Sequence, residues 1–356
     1  MRLLCNDLVI KEESCNLSCN YCLTGQSNLK ASHGDHLIFD PPRRESLNDP
    51  GLIARLLTIL DRFDALYEPA MLKITGGEVF LIPEITTFID ECAKRYKRLL
   101  VQTNGVVASD RQIASMARHD NIVIQVSLDS HLHHGNSYRV RDAGQHGKVL
   151  ERIERFFVSP LPIEVYCVIN DRSIETLLQF AHYLADREHP PQLTPFPVRG
   201  PDAQMYAPRP EQLGHLRAFA TGVAALPEVA PPRAYLDRLV SFYAAGQRTF
   251  ACHLPKLVAS TFDDGMLTPC PNIWFSDAGN LTQAGWHEAG TRMERSGIRK
   301  ALLEKSPRLS ACKGCLTPWD TLSMYMDGEL GLDQLCRSHA YRGLEGEVER
   351  FKADTR

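Results

Sequence analysis

The sequence predicts an α/β domain built on a parallel sheet, followed by a smaller, cysteine-rich α+β region. Three observations point there. Short apolar, strand-like runs alternate with amphipathic helical stretches between residues 6 and 196; polar and glycine-containing motifs stand at the C-terminal ends of those runs; and cysteines gather again from about residue 249. At 356 residues the chain should bury roughly 70–75% of the surface its unfolded form exposes, so it needs neither metal nor disulfides merely to hold a core.

The strand candidates, in order, are DLVIKEE (7–13), MLKIT (71–75), RLLVQTN (98–104), NIVIQVSLD (121–129), PIEVYCVIN (162–170) and QLTPF (192–196). Between them, Leu52, Ile53, Leu56, Leu57, Leu60 and Phe63 recur at helical spacing after a cap at Asn48 or Asp49. Pro83 is expected in the first turn of a helix carrying Ile85, Phe88, Ile89 and Cys92 on one face. Ser173 is expected to cap a helix containing Leu177, Phe180, Ala181 and Leu184. The stretch PFPVRGPDAQMYAPRPEQ (195–212) breaks the alternation, and APPR (230–233) breaks the helical pattern beyond it. The boundaries expected are a barrel-like domain over 1–198, a helical linker or bridging segment over 199–248, a cysteine-bearing domain over 249–340 and a tail over 341–356.

Charge is nearly balanced, 40 Lys+Arg against 43 Asp+Glu for a net −3, which gives no electrostatic case for nucleic acid or an anionic membrane. Asp7 and Lys11 interrupt the N-terminus before a signal-peptide core could form, and no window approaches the ~20 apolar residues of a membrane span. A cytoplasmic location is expected, and there eleven cysteines point to metal or catalysis, not to disulfides.

The stretch CNLSCNYC (15–22) places Cys15, Cys19 and Cys22 just after the first strand. Structural zinc takes four ligands, usually as two pairs, so three close thiols fit it poorly. They suit an iron-sulfur cubane with one iron open to a further ligand. Cys15-x3-Cys19-x-Tyr21-Cys22 resembles the signature of radical S-adenosylmethionine (SAM) enzymes. The resemblance implies a partial (β/α)6 barrel in which these cysteines hold a 4Fe-4S cluster, SAM chelates the open iron, and its reductive cleavage yields a 5'-deoxyadenosyl radical.

Further motifs carry the same resemblance. TGGE (75–78) is similar to the family's GGE turn, so Gly76, Gly77 and Glu78 are implied to receive the SAM amino group; glycine permits close backbone approach, and a carboxylate suits an ammonium. Thr103 and Asn104 in TNG, and Ser127 and Asp129 in SLDS, end the third and fourth strands where the family places polar residues near the SAM ribose and carboxylate. Arg141 is the preferred carboxylate contact, with Arg139 the alternative, and Asn170 matches an asparagine of the fifth strand that reaches the cofactor. All fall where parallel barrels gather their active-site loops.

Cys252, Gly265, Cys270 and the later Cys312-x2-Cys315 resemble the C-x9-15-G-x4-C … C-x2-C framework of the twitch extension, related to the longer SPASM extension. The resemblance implies one auxiliary 4Fe-4S cluster held by these four cysteines. Four thiolates in two pairs also suit tetrahedral zinc. A second auxiliary cluster would need C-x5-C-x3-C after Cys315, where the chain has LTPWDTLSMYMD. Cys5, Cys92 and Cys167 are read as core residues, Cys336 as a packed helical cysteine, and His253 and His339 as non-ligands.

An auxiliary cluster with four thiolates has no open position, so its economical role is to accept an electron during a net two-electron substrate oxidation. A base is then required, with Asp263, Asp264 and Asp320 as candidates. Two substrate classes are expected: a small natural-product precursor such as an aminocyclitol or sugar, or a peptide or protein side chain. The first strand begins so early that a separate leader-binding domain of about 80 residues is not expected before it, which favours the small molecule. Reduced flavodoxin or ferredoxin is the expected electron donor. A zinc-stabilised binding protein without catalysis is the reading from another class. Arg199, Tyr206, Tyr235 and Tyr243 in the intervening stretch are candidates to line the substrate site.

Overall fold

The computed structural model describes residues 1–12, 14–22, 47, 49–200, 202–274, 277–304 and 309–354. Asn48, one of the two expected helix caps, lies outside the described residues.

All six expected strands form: β1 (Cys5–Ile10), β2 (Met71–Gly76), β3 (Arg98–Thr103), β4 (Ile122–Ser127), β5 (Ile163–Ile169) and β6 (Gln192–Pro197). They pair in parallel in sequence order. Strands covered on both faces read as nearly continuous apolar runs, which is why Val, Ile and Leu dominate β3 to β5. The sheet continues past β1. β7 (Val258–Phe262) pairs with β1 in parallel and β8 (Leu267–Thr268) returns antiparallel, giving the order β6-β5-β4-β3-β2-β1-β7-β8. The hairpin of the cysteine-bearing region therefore extends the same sheet. Its turn requires Gly265: φ is +90°, and a Cβ there would stand 2.5 Å from Asn280 Oδ1 and 2.8 Å from the Thr282 nitrogen.

Helices cover the sheet through their apolar faces. Leu52–Tyr67 buries Leu52, Leu56, Ile59, Leu60, Phe63 and Tyr67, and Ile85–Arg95 buries Ile85, Phe88, Ile89, Cys92 and Ala93. Two expected helix starts are corrected. Pro83 precedes the N-cap, Glu84, which adopts a left-handed backbone, so the proline ends the incoming turn and does not enter the helix. Ser173 is the first residue of Ser173–Ala185, and the capping oxygen belongs to Asn170, whose Oδ1 accepts from the amides of Arg172 and Ser173, each at 2.9 Å.

Residues beyond β6 pack into the same core. The helices Leu213–Gly222 and Arg233–Ala245 bury Phe219 and Tyr235, and Tyr235 donates its hydroxyl to the Pro195 carbonyl at 2.9 Å. Within 341–356, helix Glu345–Asp354 buries Val348 and Phe351 in that core. Cys5, Cys92 and Cys167 are buried core residues, and Cys336 is half-buried at a helix end.

Candidate active site

The cysteine loop leaves β1 at Ile10 and is anchored on the turn after β2. Gly77 donates to the Ile10 carbonyl at 3.3 Å and Glu78 to the Ser14 carbonyl at 2.8 Å. That docking demands the glycines. A Cβ on Gly76 would lie 1.9 Å from the Ile10 carbonyl oxygen, and one on Gly77 would lie 2.1 Å from that of Ser14. The Glu78 carboxylate is buried and accepts from Thr103 Oγ1 at 2.7 Å, the Asn104 amide at 2.8 Å and the Phe80 amide at 3.1 Å. Burial pushes its pKa up and these three bonds pull it down. Asn104 Nδ2 in turn donates to Asn16 Oδ1 at 2.8 Å and faces Cys15 Sγ at 3.6 Å.

On the other side of the loop, Tyr21 donates its hydroxyl to Asp129 Oδ2, while Arg139 Nε and the Val168 amide donate to Asp129 Oδ1 at 3.0 and 2.9 Å. Arg139 also lies over the Tyr21 ring, and its Nη1 faces Cys19 Sγ at 3.9 Å. Burial pushes the Cys19 thiol up to about 12 against the pull of Arg139, and burial raises Cys15 as well. Cys15 is exposed and Cys19 and Cys22 are half-buried, and thiols whose pKa is raised become thiolates when they coordinate a cation.

Cys15, Cys19, Cys22, Tyr21, Gly76, Gly77, Glu78, Thr103, Asn104 and Ser127 line one cavity of about 220 Å³. Three expected contacts, Arg141, Asn170 and Asp129, do not. Arg141 is exposed, and the guanidinium at the cavity belongs to Arg139: the short helix His133–Asn136 ends so that Val140 turns inward and Arg141 outward. Asn170 is fully buried in its capping role. Asp129 also stays behind the wall, acting through Tyr21 and Arg139.

The far wall holds residues that strand reading passed over as parts of apolar runs. Asp7 and Lys73 stand directly opposite each other in the β1–β2 register, and Thr75 follows on the same face, donating to Gln102. Tyr166, Phe196, Arg199, Trp274 and Trp319 complete this wall. The legible signal was a charged residue at alternating positions inside otherwise apolar strands. Of the intervening stretch's candidates, Arg199 lines the cavity, Tyr206 stacks edge-on to Tyr21, and Tyr235 and Tyr243 are used in packing.

Residues 10–184 match the model of the Radical SAM superfamily. The chain carries a radical SAM domain. No curated protein matches it significantly in sequence. Among solved structures, it resembles Streptococcus suis SuiB bound to S-adenosylmethionine, at 13% identity and a TM-score of 0.58, over 87% of this chain and 77% of that one. It also resembles native anSMEcpe with bound AdoMet, at 16% identity and a TM-score of 0.55, over 98% of this chain and 100% of that one. Both similarities are in fold. The matched segment starts at the last residue of β1 and contains β2 to β5, the cysteine loop and the GGE turn.

Outside the matched radical SAM segment, Cys252, Cys270, Cys312 and Cys315 line one small cavity of about 30 Å³ together with Arg248 and Asn272. Asn272 Nδ2 donates to Cys315 Sγ at 3.4 Å. Arg248 is held by Asp320 through two bonds from Nη2, at 2.7 and 2.9 Å, with both side chains almost fully buried. Burial pushes the Cys252 and Cys312 thiols up to about 12, with Arg248 pulling the other way. Among the described residues, no group of three or more His, Cys, Asp or Glu side chains is arranged to hold a single metal ion. The three carboxylates considered as bases are engaged elsewhere: Asp320 on Arg248, Asp263 beside Lys11 at 3.5 Å, and Asp264 in the β7–β8 turn, where its Oδ1 accepts from the Met266 amide. None of them lines the radical SAM cavity. No helix among the described residues is long and apolar enough to cross a membrane.

Proposed function

We propose that this radical SAM enzyme removes two electrons from its substrate, with Cys15, Cys19 and Cys22 holding a SAM-binding 4Fe-4S cluster and Cys252, Cys270, Cys312 and Cys315 holding an auxiliary one. The observation that carries the reading is the convergence of the three loop thiols and the GGE carboxylate on one cavity. When bound, the first cluster and SAM supply a 5'-deoxyadenosyl radical that takes a hydrogen atom from the substrate.

The chain's residues position that chemistry. The Gly76–Gly77 backbone admits the SAM amino group and Glu78 accepts its hydrogen bonds. Thr103, Asn104 and Ser127 face the ribose side of SAM, and Arg139 offers its guanidinium to the carboxylate while Asp129 and Tyr21 hold it in place. Cys252, Cys270, Cys312 and Cys315 would hold a cluster with no open position, which would supply an acceptor for the second electron, the accompanying proton leaving to solvent. In this reading 1–198 is the barrel, 249–340 the twitch-type domain, and the helices between them bridge the two.

For the substrate, a small polar molecule such as an aminocyclitol or sugar is the first reading. A peptide is the second, supported by the similar folds solved with peptides: SuiB with precursor peptide SuiA, and anSMEcpe with the Cp18Cys peptide. Mass spectrometry of each candidate after turnover separates the two. For the chemistry itself, anaerobic protein is incubated with SAM and either dithionite or reduced flavodoxin or ferredoxin. Cys19→Ala should abolish 5'-deoxyadenosine release, whereas Cys312→Ala should retain part of it and stop product formation. Equal loss in both variants would argue against electron transfer through the second site, and colourless zinc protein would favour the binding-protein reading.

A further inference from the structure

The Asp7–Lys73 pair is not built as a structural ion pair. The two residues are direct register partners on one face of β1 and β2, only 3% and 7% exposed, and both line the cavity. Opposite charges so placed normally close on each other. Here, among the described residues, neither is ion-paired, and Asp7 Oδ1 is buried without a hydrogen-bond partner. The Lys73 ammonium rests over the rings of Tyr166 and Trp319, at 5.7 and 5.6 Å from their centroids. Arg199, on the same wall, lies over Phe196 and donates to Asn272. An orphaned buried acceptor is destabilising, and a ligand that donates to it removes that cost.

We propose that Asp7, Lys73 and Arg199 form the polar anchor of the substrate: the two cations bind a carboxylate, and Asp7 accepts from a neighbouring hydroxyl or ammonium of the same molecule. The anchor rests on the radical SAM reading of this cavity but is separate from the SAM contacts. Lys73 stands three residues before Gly76, about 10 Å deeper along the strand. Two cations against one anion make the net charge of the anchor positive, which selects an anionic substrate unit over a neutral one. Burial pushes the Asp7 carboxyl up, with Lys73 and Arg199 countering. It pushes the Lys73 ammonium down, with Asp7, Cys5 and Glu164 countering and Arg199 adding to the fall. A substrate carboxylate would add to the groups that favour the charged form of Lys73.

The test is calorimetric titration of the full, cluster-loaded chain saturated with SAM, using D-glucuronate, D-glucose and the acidic peptide N-acetyl-Ser-Glu-amide. Glucuronate should bind at least about tenfold more tightly than glucose. Lys73→Met should erase that preference, Lys73→Arg should keep it, and Asp7→Asn should weaken glucuronate binding; melting curves check that each variant folds. Peptide binding with the same Lys73 dependence keeps the anchor and assigns the carboxylate to a peptide side chain. Equal binding of glucose and glucuronate, a preference that survives Lys73→Met, or no binding by any probe overturns the proposal. Release of 5'-deoxyadenosine by the unmutated protein is measured on the same preparation. Release without an anion preference sinks the anchor alone; an anion preference without release sinks the radical SAM reading alone.

Discussion

Asp129 and Arg139 hold the cysteine loop against the ends of β4 and β5, and their energetic coupling can be worked from the contacts. Asp129 is fully buried and Arg139 nearly so, with Nε to Oδ1 at 3.0 Å. Asp129→Asn leaves the guanidinium without its counter-charge and turns an amide nitrogen toward a donor, so it should cost about 3–5 kcal/mol. Arg139→Gln leaves the carboxylate its bonds from Tyr21 and the Val168 amide, so it should cost less, about 2–3 kcal/mol. The double variant removes both charges together and should be more stable than the sum of the two losses predicts, by about 1–3 kcal/mol. Urea unfolding of all four proteins under identical anaerobic conditions gives the cycle. Additivity within about 0.5 kcal/mol would refute the claim that the pair acts as one unit.

Gly77→Ala should destabilise the fold by about 3 kcal/mol or more, since its Cβ meets the Ser14 carbonyl at 2.1 Å, while Gly297→Ala, whose Cβ meets nothing within 4 Å, should be neutral or stabilising in the same melt. Arg248→Leu should cost about 3–5 kcal/mol by stranding the buried Asp320 carboxylate, and should lower iron retention at the second site. Asp64 has a folded-state pKa raised to about 6, chiefly by burial and against the hydrogen bond from Tyr96. The native state therefore keeps a proton there that the unfolded chain has released. Its contribution to stability is full below the ordinary aspartate range and is lost as pH rises through about 6. Asp64→Asn should flatten that part of the stability profile, and an unchanged slope would contradict the assignment.

The strands were readable because each combines β-branched runs with polar or glycine endings, and the C-x3-C-x2-C and GGE motifs are local in sequence. What was not readable depends on pairing between distant segments. Nothing near Asp7 announces that it faces Lys73, because that neighbourhood is set by the β1–β2 register, 66 residues apart. The parallel pairing of β7 with β1 joins segments about 250 residues apart in the chain. Arg139 and Arg141 differ only in which way a short turn leaves them facing, and Val140 decides it by burying itself between them. Asn170 displaced Ser173 as the cap because its side chain reaches two amides that the serine, already inside the helix, cannot satisfy.

In the proposed reaction two sets of thiols hold two clusters of different function. Iron and acid-labile sulfide analysis of anaerobically purified protein, combined with Mössbauer spectra, tests it most directly. About eight irons per chain, as two 4Fe-4S clusters, are expected. Replacing Cys15, Cys19 and Cys22 should leave about four, in the cluster insensitive to SAM, and replacing Cys312 and Cys315 should leave about four in the cluster whose spectrum SAM perturbs. A protein holding one zinc and no iron, or one whose iron is lost together from both sites in either variant, would contradict it.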